Sequence, residues 1–202
     1  MGKSRHRRDI RSLVLILYSR FFPAFYILES VLKNKLFNLI GEELGDNWFQ
    51  VQLNDDTNDQ LFKAEINLIK NRKPSNYVIT PQKLLLESGF GLWVEFFNSR
   101  IYKLAKGRPI KIFSKLPKNI KRANIYQYLI KVKDFRNLLV HSRLPLINEA
   151  SGAKELDSIL DHYRMLMELL EWIDEVPVFS LEEFENEINI IRNLLLSKSL
   201  DT

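Results

Sequence analysis

The chain has 202 residues and no cysteine, which excludes disulfides, cysteine-ligated zinc, iron–sulfur clusters and thiol nucleophiles. Hydrophobic residues make up 46% of it, enough for a continuous core, and seven Gly and seven Pro leave room for long helices. The net charge of +5 is typical of proteins that meet anionic partners such as nucleic acid. Absence of cysteine also fits a reducing compartment, and we expect a cytoplasmic protein.

The N-terminal part begins with basic residues followed by the apolar run Leu13–Leu17. Arg20 interrupts this run, and no small-residue cleavage site follows, so a signal peptide is not predicted. Charged residues also punctuate the region Leu13–Ile40, which therefore lacks the ~18–20 uncharged residues that a bilayer span requires. We expect no membrane-spanning segment.

The predicted elements are helices throughout. A helical pattern runs from Asp9 to Leu44, with a break at Pro23, and the polar stretch Gly45–Asn58 is predicted to be a loop. Thr80-Pro81 is a typical helix start, and Ser180 to Glu183 form a capping box. Helices are predicted over 60–70, 80–87, from after Gly91 to 104, 124–141, 154–174 and 180–198, with a basic loop over 106–118. The sequence thus predicts an all-α protein of one domain (1–202), with a helical bundle core over 80–200 and an N-terminal helical part over 9–72.

The helix predicted over 124–141 has two different faces. Its apolar face comprises Ile125, Tyr128, Leu129, Val132, Phe135 and Leu139. Its polar stripe comprises Gln127, Lys131, Asp134, Asn137 and His141, at spacings of three and four residues. His141 is therefore expected one turn beyond Asn137 on the solvent side, with Arg136 beside that stripe.

Arg136, Asn137 and His141 have the side-chain chemistry that RNA cleavage needs. A histidine can take or give a proton near neutral pH, an arginine binds phosphate, and an asparagine can orient a hydroxyl or an imidazole. RNA supplies its own nucleophile, the 2′-hydroxyl, so no metal is required. The alternative is a surface cation and a histidine that merely interacts with the end of a helix, and the spacing alone does not decide between them.

The string from Phe135 to Pro145, with Arg136-Asn137, His141 and Arg143-Leu144, resembles the signature of Abi-like abortive-infection proteins, a branch of the HEPN superfamily. Upstream, the apolar run that ends in Phe90-Gly91 is similar to a second family feature. Ser142, Val140 and Pro145 depart from residues that are frequent in the family.

The resemblance implies a HEPN-type helical bundle with additional N-terminal and peripheral helices. It also implies a metal-independent endoribonuclease of an antiviral defence or toxin system that leaves a 2′,3′-cyclic phosphate. Arg136, Asn137 and His141 would be catalytic, and two motif helices would face each other in a homodimer. An antitoxin is a further partner that some relatives have. The alternative is a non-catalytic HEPN module that binds RNA or protein in a defence complex.

Other candidates have competing interpretations. Lys106, Arg108 and Lys111 belong to a basic loop that could contact the RNA backbone or be an ordinary solvated loop, and Arg143 could bind phosphate or form a salt bridge. Lys131 is a further RNA-binding candidate on a stripe that is more typical of a solvated charged face. His162 and His6 are not predicted to be catalytic, and three scattered histidines predict no metal site and no cofactor.

Overall fold

The computed structural model describes residues 12–54, 60–141, 152–176 and 180–199. Every regular element in these ranges is helical, which confirms the all-α prediction. The helices are α1 (residues 12–19), α2 (Phe21–Leu44), α3 (Asn47–Asn54), α4 (Gln60–Lys70), α5 (Pro81–Glu87), α6 (Phe90–Val94), α7 (Ser99–Leu104), α8 (Arg122–Val140), α9 (Gly152–Trp172) and α10 (Leu181–Ser199). Short 3₁₀ helices cover Glu95–Phe97 and Arg108–Ile112.

The described residues form two compact units, and α2 and α8 each contribute residues to both. In the part of the chain that the structure describes, the first unit comprises residues 12–28, 131–141, 152–176 and 180–199, and the second comprises residues 29–54 and 60–130. Each unit has its own apolar core, and each is described separately below.

An aromatic cluster forms the core of the first unit around Phe21, which is fully buried. Its ring lies 4.9 Å from that of Phe135, 5.1 Å from Tyr163 and 5.4 Å from Phe184, measured between centroids. Tyr163 of α9 and Phe184 of α10 also stack on each other at 3.8 Å. These contacts fix α2, α8, α9 and α10 to a common apolar centre.

The start of α2 explains where the predicted break lies. The chain turns at Arg20, three residues before Pro23. Pro23 then falls in the first turn of α2, where its missing N–H costs nothing, whereas within a continuous helix it would remove a hydrogen bond and clash with the preceding turn. The break is therefore caused by Pro23 but occurs N-terminal to it, and the Arg20 guanidinium pairs there with Glu187 at 2.6 Å.

A second aromatic cluster forms the core of the other unit. Trp93 and Phe96 stack at 5.5 Å, and Phe96 contacts Phe62 and Trp48. Phe49, which is buried in this cluster, belongs to α3. The sequence predicts a loop at this place, so the structure corrects that prediction. Four of the eight residues of α3 are Asn or Gln, and this polar composition led to the incorrect prediction of a loop.

Helix ends agree with the predicted capping residues. The Thr80 hydroxyl accepts a hydrogen bond from the Lys83 N–H at 3.3 Å, which begins α5. Ser180 and Glu183 exchange reciprocal hydrogen bonds at 2.8 and 3.1 Å, which confirms the capping box of α10. The helix predicted to end near Leu104 is instead divided into α6, a 3₁₀ helix and α7.

One helical stretch, Ser12–Leu44, is long and apolar enough to cross a membrane by length and composition, with a hydropathy of 1.4 in its most apolar window. Buried core helices of soluble proteins meet the same criterion. Leu17, Phe21 and Leu28 are fully buried within the first unit, and Leu36 and Ile40 within the second. The prediction that the chain has no membrane-spanning segment stays a prediction.

Candidate functional site

Helix α8 positions the motif residues by burying one of its faces. Ile125, Leu129, Val132, Phe135 and Leu139 are buried, as the apolar pattern predicts, and Tyr128 is half-buried. The opposite side faces solvent, so Lys131, Asp134 and His141 are exposed. Because α8 is held by its apolar face, its polar stripe is presented to solvent at a defined orientation.

Arg136, Asn137 and His141 lie within the last turns of α8. One guanidinium nitrogen of Arg136, Nη1, donates a hydrogen bond to the Asn137 side-chain oxygen at 3.4 Å, and both side chains are half-buried. The backbone N–H of His141 donates to the Asn137 carbonyl at 3.1 Å, so His141 directly follows the last residue of the helix. The structure thus brings Arg136 and Asn137 into contact and leaves the imidazole of His141 exposed one turn beyond.

Phe135, which directly precedes Arg136, packs the motif segment of α8 against the core of the first unit. Its ring is buried between Phe21 and the His162 imidazole, which it stacks against with centroids 4.3 Å apart and planes 19° from parallel. The next residue in the chain is Arg136, so packing of Phe135 fixes the backbone position from which the Arg136 side chain extends.

His162 of α9, which the sequence did not predict to be catalytic, stacks against the motif residue Phe135. Its Nδ1 lies 2.6 Å from the Ser158 carbonyl oxygen, one helical turn back. A neutral ring must then carry its proton on Nδ1, which leaves Nε2 as a hydrogen-bond acceptor. The spacing of Ser158 and His162 on α9 was visible in the sequence, but the contact with Phe135 depends on tertiary packing.

The other charges of the stripe differ in their surroundings. Asp134 lies 3.6 Å from the ammonium of its neighbour Lys133, an ion pair in which the carboxylate stays 63% exposed. Lys131 is exposed and forms no ion pair with any described residue. Arg143, the remaining candidate from the motif, lies outside the described residues, as does His6.

The basic loop belongs to the second unit, and its three candidate residues are not equivalent. Arg108 pairs with Glu43 at 3.0 Å, and the Lys111 ammonium pairs with the same carboxylate. The hydrogen bond from Lys111, with the added positive charge of Arg108, lowers the pKa of Glu43. Lys106, in contrast, is exposed and forms no ion pair with a described residue. Of these three residues, only Lys106 therefore presents a charge that no described carboxylate compensates.

No group of three or more His, Asp and Glu side chains suited to hold a metal occurs in the described ranges. The arrangement at the end of α8 instead combines a permanent cation, an amide and a titratable imidazole. That set can bind a phosphodiester and move a proton. It has the chemistry of acid–base catalysis on a substrate that carries its own nucleophile.

Comparison of the chain with models of protein families, with curated proteins and with solved structures gave no match.

Proposed function

We propose that the protein is a metal-independent endoribonuclease that acts through Arg136, Asn137 and His141. The observation that carries the proposal is the end of α8, where Arg136 contacts Asn137 and the exposed His141 follows one turn later. The resemblance of this segment to Abi-like HEPN proteins gives the same assignment. A bundle of the HEPN type, a cytoplasmic location and a role in antiviral defence or as a toxin belong to this proposal.

In the proposed reaction, the neutral imidazole of His141 takes the proton of a ribose 2′-hydroxyl. The 2′-oxygen attacks the adjacent phosphorus, and the bond from phosphorus to the 5′-oxygen breaks. The leaving oxygen receives a proton, which gives a 2′,3′-cyclic phosphate and a 5′-hydroxyl. Arg136 neutralises the charge that develops on the phosphate oxygens, and Asn137 orients the reacting groups.

The positions of Arg136 and His141 on α8 support the proposal that two copies of the protein are needed to form one active site. Residues 136 and 141 are five positions apart, which corresponds to about 140° around the axis and ~7.5 Å along it. One chain therefore directs Arg136 and His141 to different sides. A two-fold pairing of motif helices would place the Arg136 of one chain near the His141 of the other, and it would supply a second imidazole to protonate the leaving oxygen. Exposed Leu138 and Val140, at 42% and 47%, are apolar residues that such a pairing could cover.

The test is cleavage of total RNA and tRNA in EDTA by the wild type, His141→Ala and the matched histidine control His6→Ala. We expect loss of a general base to slow cleavage by roughly 10²–10⁴-fold. The His6 variant should retain wild-type activity. Arg136→Lys keeps the charge and loses bidentate phosphate binding, so we expect intermediate activity. The cut ends should carry a cyclic phosphate.

Equal cleavage by the wild type and His141→Ala would refute the assignment. RNA binding without cleavage by the wild type, at concentrations at which sedimentation shows a dimer, would favour the non-catalytic HEPN module. Growth arrest on expression in bacteria, relieved by His141→Ala, would support a toxin and justify a search for an antitoxin partner.

A further inference from the structure

A long segment of the second unit is basic and contains no acidic residue. From Phe96 to Ile130, 35 residues include nine Lys and Arg and no Asp or Glu. The whole protein carries 25 Asp and Glu, so acids are concentrated elsewhere in the chain. No carboxylate within the segment itself therefore offsets its positive charge.

Contacts around the Tyr102 ring gather three parts of this segment. The Arg122 guanidinium, at the start of α8, lies 5.8 Å over the ring and donates a hydrogen bond to the Phe97 carbonyl at 2.5 Å. Gly107, just after α7, lies beside the same ring, and a Cβ there would be in ordinary van der Waals contact with it at 3.6 Å. In the chain, Lys103 directly follows Tyr102, Lys106 directly precedes Gly107, and Lys121 directly precedes Arg122.

A half-buried polar network engages Glu95, the acid that immediately precedes the segment. The Tyr126 hydroxyl donates to the Glu95 carboxylate at 3.1 Å and accepts from the Asn98 amide at 3.3 Å. Asn98 also caps α7 through the Arg100 N–H at 3.0 Å. Glu95 is therefore engaged with Tyr126 and forms no ion pair with a described lysine or arginine.

Five cations of the segment are exposed and form no ion pair with any described residue. They are Arg100, Lys103, Lys106, Lys118 and Lys121, which we call the α7 basic face. Arg108 and Lys111 differ, because Glu43 compensates both of them in part.

The composition of this face favours a polyanion over a lipid surface. Within 96–130, the only large hydrophobic residue that is exposed is Leu104, at 37%. A membrane-surface segment would present several apolar side chains for insertion, and this one does not. No unstacked aromatic ring is exposed for bases either, so contacts with phosphate rather than with bases are expected.

We propose that the α7 basic face binds the phosphate backbone of RNA without sequence preference, and that Arg108 and Lys111 serve the structure instead. RNA as the polyanion rests on the proposed function, but the binding itself does not require the motif of α8. Lys103, Lys106 and Lys121 should contribute most, because each is adjacent in the chain to Tyr102 or to a residue that lies against its ring.

The experiment measures binding of a fluorescent 20-nucleotide RNA by anisotropy over a range of salt concentrations, in a His141→Ala background that prevents cleavage. The test variant carries Lys103→Gln, Lys106→Gln and Lys121→Gln. The control carries Lys63→Gln, Lys70→Gln and Arg72→Gln on and just after α4, which removes the same charge elsewhere. Circular dichroism and melting curves verify that both variants are folded.

With about 0.7 counterions released per phosphate contact, loss of three contacts should weaken binding roughly 100-fold at 0.1 M salt and reduce the logarithmic salt slope by about 2. The control should change affinity by less than about threefold. Equal losses in both variants, or unchanged affinity in the test variant, would overturn the proposal.

Two further outcomes separate this proposal from the endoribonuclease. If the wild type does not cleave RNA but the test variant loses RNA binding, the proposal that the α7 basic face binds RNA is supported and the proposed ribonuclease activity is refuted. If the face instead binds vesicles of phosphatidylcholine and phosphatidylserine, and RNA affinity is the same in both variants, the partner is a membrane surface and the RNA proposal is wrong.

Discussion

Lys106 has a backbone conformation that glycine adopts more easily. This predicts that a substitution to glycine, which usually destabilises a protein, stabilises it at this position. Its φ is 51°, in the left-handed region. The Gly107 N–H donates to the Tyr102 carbonyl at 2.9 Å and the Lys106 N–H to the Lys103 carbonyl at 2.9 Å, which is the Schellman arrangement that ends many helices. Lys106 occupies the position where glycine is the usual residue.

We expect Lys106→Gly to stabilise the protein. Relief of the left-handed conformation gains roughly 1–2 kcal/mol, and the greater freedom of glycine in the unfolded chain costs roughly 0.5–1 kcal/mol. The net gain should be about 0.5–1 kcal/mol, which for a chain of this size raises the melting temperature by about 1–4 °C. The measurement is urea unfolding followed by circular dichroism, together with a thermal melt.

The matched control is Lys103→Gly, one turn earlier within α7. There the same change lowers the charge equally but places glycine inside a helix, so we expect a loss of roughly 0.5–1 kcal/mol. Opposite signs for the two variants would support the left-handed cap. A destabilisation by Lys106→Gly as large as that of Lys103→Gly would refute the reasoning. Asp174, at φ 65° after α9, offers a second test in the other unit, where Asp174→Gly should also stabilise.

Three further predictions concern the first unit. Phe21→Ala should lower the free energy of unfolding by about 3–5 kcal/mol, because it leaves a cavity among four aromatic rings. Phe21→Leu fills most of that space and should lower it much less. Equal urea midpoints for the two variants would contradict this prediction. Ser180→Ala should cost about 1 kcal/mol in the same assay by removing the cap of α10. Hydrogen bonds from the backbone and side chain of Ser180 lower the pKa of Glu183, so its stabilising effect is present above the unfolded pKa of about 4.3 and is lost as the pH falls through the lower folded value. The difference in urea midpoint between the wild type and Glu183→Gln should therefore be present at pH 7 and shrink as the pH falls below about 4.3, and a difference that stays constant on acidification would contradict the assignment.

Helix type and helix ends could be predicted from the sequence because they depend on local chemistry. The apolar spacing of α8 predicted its buried face, and Thr80-Pro81 and Ser180 marked real helix starts. The catalytic assignment of Arg136, Asn137 and His141 stays a prediction, because their spacing alone does not separate it from a surface cation and a histidine at a helix end. Completion of the proposed site by a second copy is likewise a prediction, since it depends on an assembly.

Other features depended on contacts between residues distant in the chain. Helix α3 packs through Phe49 against Phe37, at 4.8 Å between ring centroids, and this contact between distant residues is not visible in the local sequence. The stacking of His162 on Phe135 joins residues 27 positions apart.

The basic loop shows the same division between local and tertiary information. The sequence by itself determined that the loop is rich in cations and that α8 carries a polar stripe beside an apolar one, because composition and periodicity are properties of adjacent residues. Only the tertiary structure decided that Glu43 compensates Arg108 and Lys111 while Lys106 stays exposed. Ion pairing depends on distances of a few ångströms across the fold, and a linear pattern does not contain them.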